Sequence, residues 1–355
     1  MTKIIVGMSG GVDSAVAAVL LKKAGYEVIG LTLRTWTGDD GTESRCCEID
    51  DARNVARKLG IPYYTLNCLS DFQRHVVDPF VQSYVQGETP NPCVVCNRLV
   101  KWERMLYFAK VMQADSVATG HYASVVQLPN GRYTVRKAAH AEKDQTYMLY
   151  RLSQEQLAVT RMPLGGLSKE EVRRIAEQEG LPVAQKPDSQ EICFVTDGNY
   201  ADFIEKNTSS VLQGEGCFTD EEGNILGKHK GIIHYTPGQR KGLGLALGYP
   251  AYVKRIDTEK NEVIIGKEES LYSTELRCCD VNYMSIPEPA AGSRLPCAVK
   301  IRYHHPAQQA VLVQQDNGIV QIRFDKPVRA AAPGQSAVFY DAEEHVIGGG
   351  VIMKN

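Results

Sequence analysis

The chain lacks any apolar run near the ~20 residues that a membrane-spanning helix requires. Its N-terminus enters strand-like sequence at Lys3, without the charged leader and apolar stretch of a secretory signal. A soluble, cytoplasmic protein is therefore expected. It also lacks a charge excess. The formal net charge of −2 argues against indiscriminate binding to nucleic acid, while leaving room for local basic patches. Internal repeats and low-complexity segments are absent as well. Cysteine is plentiful, ten residues in all, but the adjacent pairs Cys46-Cys47 and Cys278-Cys279 in a long chain do not have the spacing of a secreted disulfide framework. Reduced thiols, with chemistry at some of them, are the better expectation. With 355 residues and 43% hydrophobic content, the chain can bury a large core in two or three domains.

What is present begins with Val6-Gly7-Met8-Ser9-Gly10-Gly11-Val12-Asp13-Ser14. This stretch closes the apolar run Lys3 to Val6 and opens a helical pattern of Ala15, Val16, Val19 and Leu20. Backbone N–H groups of such a turn face inward on an anion, and the helix that follows adds its positive end. The lysine of G-x-x-x-x-G-K-[ST] is missing, because Asp13 precedes Ser14, and G-x-G-x-x-G is missing too. A carboxylate beside a phosphate cradle makes sense if a magnesium ion lies between Asp13 and a pyrophosphate. The motif S-G-G-x-D-S resembles that of the PP-loop ATP pyrophosphatases, which split ATP between the α and β phosphates, so ATP with Mg2+ is the implied cofactor.

After the loop, helical and strand-like patterns alternate. Helices are expected at 16–24, 50–59 and 71–86, and strands at 27–33, 62–66 and 116–119. Strands separated by helices imply a parallel sheet with ligands outside the carboxyl ends of the strands. Gly120-His121 follows a strand and should face the crevice of the phosphate loop; Leu33 is a candidate floor for adenine.

The segment Thr89-Pro90-Asn91-Pro92-Cys93-Val94-Val95-Cys96-Asn97 joins two helical patterns, and its prolines keep the chain extended ahead of two thiols spaced C-x2-C. That spacing admits a redox dithiol, two ligands of a metal or cluster, or one reactive cysteine with a bystander. No second C-x2-C lies nearby to close a zinc site. Cys193 stands in a polar loop running into an apolar, strand-like end, and beside an ATP pyrophosphatase loop it suggests sulfur transfer.

The set Ser9-Gly-Gly-Val-Asp-Ser14, Asn91-Pro-Cys-x-x-Cys96-Asn97, Gly120-His-Tyr-Ala123, Lys143-Asp-Gln145, Ile192-Cys-Phe194 and Tyr235-Thr-Pro-Gly-Gln-Arg-Lys-Gly242 resembles the tRNA-specific 2-thiouridylases over essentially the whole chain. The resemblance implies adenylation of C2 of the wobble uridine of tRNA, followed by sulfur delivery from a persulfide on Cys193, with Cys96 as nucleophile and a transient Cys96–Cys193 disulfide. It assigns Gly7, Met8, Ser9, Gly10, Gly11, Val12, Asp13, Ser14, Leu33 and Gly120 to ATP, and Asn91, Pro92 and Cys93 to the target base. It assigns His121, Lys143, Asp144, Gln145, Arg302, Tyr303 and Gln335 to tRNA. The implied partners are the anticodon arm of tRNA and a persulfide or sulfide donor protein, with no membrane. One departure matters: better-known members have Asp where this chain has Cys93. Cys93, Cys96 and Cys193 could then hold three corners of a [4Fe–4S] cluster, an alternative to the persulfide route.

The expected fold class is α/β. An N-terminal parallel-sheet PP-loop ATP pyrophosphatase domain of the HUP type (1–207) precedes a small β domain (208–272) and a C-terminal β-barrel (273–355). A Ser-capped helix runs from Leu167 toward Gly180, ahead of the Cys193 loop. The basic stretch 228–241, with Lys228, His229, Lys230, Arg240 and Lys241, reads as an RNA-facing edge. The competing reading is another ATP pyrophosphatase, an amidotransferase-type synthetase, which would need no three-cysteine set.

Overall fold

The computed structural model describes residues 2–38, 41, 44, 47–187, 192–195 and 198–354. Cys46 and part of the loop before Cys193 (188–191) lie outside them. In the first half, β1 (Lys3–Gly7), α1 (Val12–Lys23), β2 (Glu27–Arg34), α2 (Ile49–Leu59) and β3 (Tyr63–Asn67) alternate as expected. Then α3 (Leu69–Phe72) runs through a π-helical segment into α4 (Asp78–Val85), and α5 (Pro92–Cys96) runs through another into α6 (Glu103–Val111). They are followed by β4 (Ser116–Ala118), the hairpin β5 (Ala123–Gln127) and β6 (Tyr133–Lys137), α7 (Gln154–Ala158), β7 (Thr160–Arg161), α8 (Lys169–Gln178) and α9 (Tyr200–Asn207).

The parallel sheet has the order β3-β2-β1-β4-β7. The chain winds outward from β1 to β3 and then returns to place β4 on the other side of β1. The order reverses between β1 and β4, which opens a crevice at their carboxyl ends. That crevice is bounded by the residues after Gly7 and after Ala118. One face of the sheet is covered by α1, α2 and α8 through Val16, Val19, Val55 and Val172; the other is covered by α5, the π-helical segment after it and α6 through Val94, Trp102 and Met105.

The predicted capped helix is present as α8. Ser168 accepts from the Glu171 amide while Glu171 accepts from the Ser168 amide, a reciprocal cap worth about 1 kcal/mol. Two expectations need correction. Pro92 to Cys96 is helical rather than a linker, because proline fits the first helical position, where no N–H is needed. Ile192 to Val195 is a turn, not a strand end; Phe194 is apolar because its ring packs 5.2 to 6.3 Å from those of Phe72, Phe80, Phe203 and Trp36.

The middle of the chain forms a four-stranded sheet, β10-β11-β8-β9, from β8 (Gly216–Thr219), β9 (Ile225–His229), β10 (Tyr252–Asp257) and β11 (Glu262–Gly266). Its apolar face, including Phe218, Tyr235, Val253 and Val263, shares a core with Phe80 of α4 and Phe203 of α9. The remaining strands are β12 (Tyr272–Tyr283), β13 (Arg294–Lys300), β14 (Gln308–Gln314), β15 (Val320–Arg329), β16 (Ser336–Tyr340) and β17 (Val346–Ile352). They close a barrel in the order β12-β15-β14-β13-β16-β17. The barrel docks on the β6–α7 region: Tyr147 donates to the Ser336 carbonyl at 2.8 Å, and Arg132 donates to the carbonyls of Met284 and Tyr283. Among the described residues, no helix is long and apolar enough to cross a membrane.

Candidate active site

The phosphate loop holds itself open with its own serines. The Ser9 amide donates to Ser14 Oγ at 3.1 Å, Ser14 Oγ donates to the Gly11 carbonyl at 3.1 Å, and the Gly11 amide donates to Ser9 Oγ at 3.4 Å. No side chain caps the start of α1 at Gly11, so the first-turn N–H groups remain directed at the crevice. Gly10 has φ +80°, and a Cβ there would lie 2.6 Å from the Glu48 carbonyl oxygen. Met8 and Val12 are buried beneath the turn. Leu33, at the end of β2, packs against the two apolar clusters that flank this region.

Asp13 is held by two side chains. Its Oδ1 accepts from the Tyr122 hydroxyl at 2.7 Å, and its two oxygens accept from Lys169 Nζ at 2.7 and 2.9 Å. Gly120 lies directly on the loop: a Cβ there would stand 2.6 Å from the Ser14 nitrogen and 2.7 Å from the Asp13 carbonyl carbon.

His121 accordingly sits at the crevice. Its Nδ1 is 2.8 Å from Thr119 Oγ1, and its ring lies 5.6 Å from that of Trp102. Burial, with the Lys101 charge in second place, pushes its pKa down to about 3, so the ring is neutral at physiological pH. An unfolded histidine takes up a proton near pH 6.5, whereas folded His121 takes none until near 3. Stability is thus full above about 6.5 and is lost as pH falls through that window. Urea unfolding is expected to show a loss of roughly 1 kcal/mol or more between pH 7 and pH 5 that His121→Gln removes. An unchanged slope in the variant would contradict this.

The structure gathers most of the remaining predicted residues at the N-terminus of α5, where Cys93 is exposed and Cys96, one helical turn on, is 7% exposed. Asn91 Nδ2 is 3.5 Å from the Met148 sulfur, and Asn97 Nδ2 donates to the Met148 carbonyl at 2.9 Å. Met148 closes the short turn after Lys143-Asp144-Gln145. Asp144 is buried and accepts from the Ala138 amide and from the Thr146 hydroxyl and amide. Gln145 Oε1 accepts from the Tyr122 amide at 2.9 Å. From the barrel, Tyr303 lies 6.1 Å ring to ring from Tyr147. Burial, then the charges of Asp144 and Cys93, raise its phenol pKa.

Two barrel residues assigned to tRNA make protein contacts here. Arg302 Nη2 donates to the carbonyls of Pro237 and Ala330, tying the barrel to the middle sheet. Gln335 Nε2 donates to the Thr89 carbonyl at 2.8 Å and reaches that of Pro90 at 3.3 Å, while the Thr89 amide donates to the Pro333 carbonyl. Gln335 thus fixes the extended segment that leads into Asn91-Pro92-Cys93. Gln335→Ala is expected to lower turnover about five- to tenfold and to leave KM for the tRNA that the resemblance implies as substrate within about twofold. A pure RNA contact would instead raise KM alone.

Cys193 packs against the apolar cluster that contains Cys96, so the two thiols assigned to sulfur transfer border one core. Phe194 pins the neighbouring turn, a role the sequence motif did not signal. Burial raises the thiol pKa of Cys68 to about 11 and that of Cys297 to about 12, and raises Cys278 and Cys279 as well. Those four stay protonated and unreactive near neutral pH. Among the described residues, no three His, Cys, Asp or Glu side chains form a group that could hold a metal ion. Cys93 and Cys96 lie one turn apart on α5, and Cys193 borders the core that holds Cys96. Within the basic stretch, Lys228, Lys230, Arg240 and Lys241 are exposed, whereas His229 is buried against Phe218 and Tyr235.

Family models match the chain in three consecutive blocks. The tRNA methyl transferase HUP domain covers residues 2–197, the tRNA methyl transferase PRC-barrel domain 201–267, and the aminomethyltransferase beta-barrel domain 273–352. The chain is 51% identical to the tRNA-specific 2-thiouridylase MnmA of Lachnoclostridium phytofermentans over 361 residues, covering 100% of each. It is 51% identical to that of Acetivibrio thermocellus, covering 99% of each, and 47% identical to that of Clostridium perfringens, covering 99% of this chain and 98% of that one. A solved U34-tRNA thiolase NcsA from Methanococcus maripaludis with its [4Fe-4S] cluster aligns at a TM-score of 0.36 and 20% identity, covering 59% of this chain and 67% of that one, too loosely to bear on this site. By sequence shared from end to end and by the order of its three domains, the chain belongs to the MnmA family of tRNA-specific 2-thiouridylases.

Proposed function

We propose that this chain is a tRNA-uridine 2-sulfurtransferase of the cytoplasm that uses ATP to convert the wobble uridine of tRNA to 2-thiouridine. The observation that supports the reading is an uncapped glycine-rich helix start at the sheet crevice, with Leu33 of the neighbouring strand β2 packed against the same apolar core that Cys96 and Cys193 border. ATP arrives with its own Mg2+, and the N–H groups of Ser9 to Ser14 hold its phosphates. Uridine is out of its stack, presented by Asn91, Pro92 and Cys93. Its O2 attacks the α phosphate and pyrophosphate leaves. The carbonyl oxygen, a poor leaving group, is now part of AMP.

The terminal sulfur of a Cys193 persulfide, loaded by a donor protein, then adds to C2 and AMP departs. This leaves a Cys193–S–S–C2 linkage. The Cys96 thiolate attacks Cys193 Sγ, the old S–S bond breaks, and 2-thiouridine is released with its electron pair on sulfur. The resulting Cys96–Cys193 disulfide is reduced by an external thiol. No step passes through an iron–sulfur cluster. His121, Lys143, Tyr303 and the exposed cations of the 228–241 stretch grip the anticodon arm, and Asp144, Gln145, Arg302 and Gln335 shape the surface that does so.

AMP release tests the reading. It should require tRNA, and neither small carboxylates nor free nucleotides should substitute. AMP formed with a small acceptor alone would identify a synthetase instead.

A further inference from the structure

The phosphate loop carries no lysine, yet the fold brings two to it from one later stretch of chain. Lys186 Nζ reaches the Gly10 carbonyl at 3.3 Å, but it also bonds both Glu48 and Asp51, so its charge is more than balanced. Lys169 bonds the loop's own carboxylate. It is 7% exposed at the first position of α8, and its ammonium lies 2.7 and 2.9 Å from the oxygens of Asp13, the residue before Ser14 in the loop. The Tyr122 hydroxyl bonds the same carboxylate, and the Tyr122 ring lies 6.0 Å from the ammonium, which fixes the pair from a second side. A triphosphate entering the cradle with its Mg2+ would meet the Asp13 carboxylate as a like charge at close range, and the ammonium already bonded to that carboxylate is that of Lys169.

We propose that Lys169 is the phosphate-site cation of this enzyme, supplied from outside the loop, and that on nucleotide binding its ammonium is shared between Asp13 and the β,γ end of ATP. This rests on the ATP-binding reading of Ser9 to Ser14. It assigns Lys169 a part in holding the pyrophosphate that leaves, and no part in holding AMP.

The test is calorimetric titration of the full chain with MgATP and, separately, with AMP. The preference for ATP over AMP should fall about tenfold or more in Lys169→Met and be partly kept in Lys169→Arg. Because removing one member of a buried pair can unfold the site, Asp13→Asn and Asp13→Asn/Lys169→Met are measured beside it. The preference should follow the lysine: kept in Asp13→Asn, lost in the double variant. A double variant that regains the preference would show that Lys169 merely masks a carboxylate. Equal losses for ATP and AMP would reduce it to a structural residue, and either result overturns the assignment. A wild type that binds neither nucleotide overturns the reading of the loop, and the inference with it.

Discussion

Replacing Gly120 by alanine is expected to lower ATP affinity by about ten- to a hundredfold while leaving the barrel intact. The new methyl would stand 2.6 Å from the Ser14 nitrogen and 2.7 Å from the Asp13 carbonyl carbon, distances that side-chain rotation cannot relieve because both atoms are backbone. Either α1 or the 119–121 turn must move. Overpacking of this kind costs about 1–3 kcal/mol, and here the strain falls on the N–H groups that hold phosphate. Calorimetric ATP binding checks it, with the melting temperature measured alongside. An affinity within twofold of wild type would mean that β4 and α1 can separate without harm to the cradle.

The second large effect separates the two thiols. Cys193→Ser has no sulfur to carry, so 2-thiouridine should fall on the order of a thousandfold or more. Adenylation should persist, because it uses only the loop and the base pocket. Cys96→Ser should fail later. It can load Cys193 and attack C2, but it cannot cut the Cys193–S–S–C2 linkage. Without added thiol it should accumulate a covalent protein–tRNA adduct that dithiothreitol releases as thiolated tRNA. A denaturing gel with labelled tRNA reads this directly; no adduct, or an adduct that thiol leaves intact, would exclude the order of steps given above.

These effects could be approached from the sequence because the strongest local signals coincide with the site. Lys3 to Val6 is a buried strand and Gly10 is required by its backbone, so the strand–turn–helix at the loop was legible from pattern alone. The barrel strands β14 and β15 follow an alternating apolar pattern, whereas β16 and β17 are continuous apolar runs buried on both faces. β13 gives a weaker signal because Pro296 interrupts it on the exposed face. The C-x2-C segment read as a linker since Pro90 and Pro92 break helices from the inside, whereas Pro92 in fact starts one. Least legible were the long-range pairs. Asp13 meets Tyr122 across 109 residues and Lys169 across 156, and Gln335 meets Thr89 across 246. No spacing rule links such positions; only the winding of the sheet and the docking of the barrel bring them together. The pairing of the Asp13 carboxylate with the Lys169 ammonium therefore had no signal in the sequence.

Coupling of ATP cleavage to sulfur delivery by protein thiols alone has one direct readout. In a single turnover, iron-free protein persulfidated on Cys193 is mixed with ATP and unmodified tRNA, and AMP and 2-thiouridine are quantified by mass spectrometry of the quenched reaction. One AMP per 2-thiouridine is expected, with Cys93→Asp retaining the product because Cys93 borders the base without making or breaking a bond. Product that appears only after iron and sulfide loading, and that disappears in Cys93→Asp, would contradict the account.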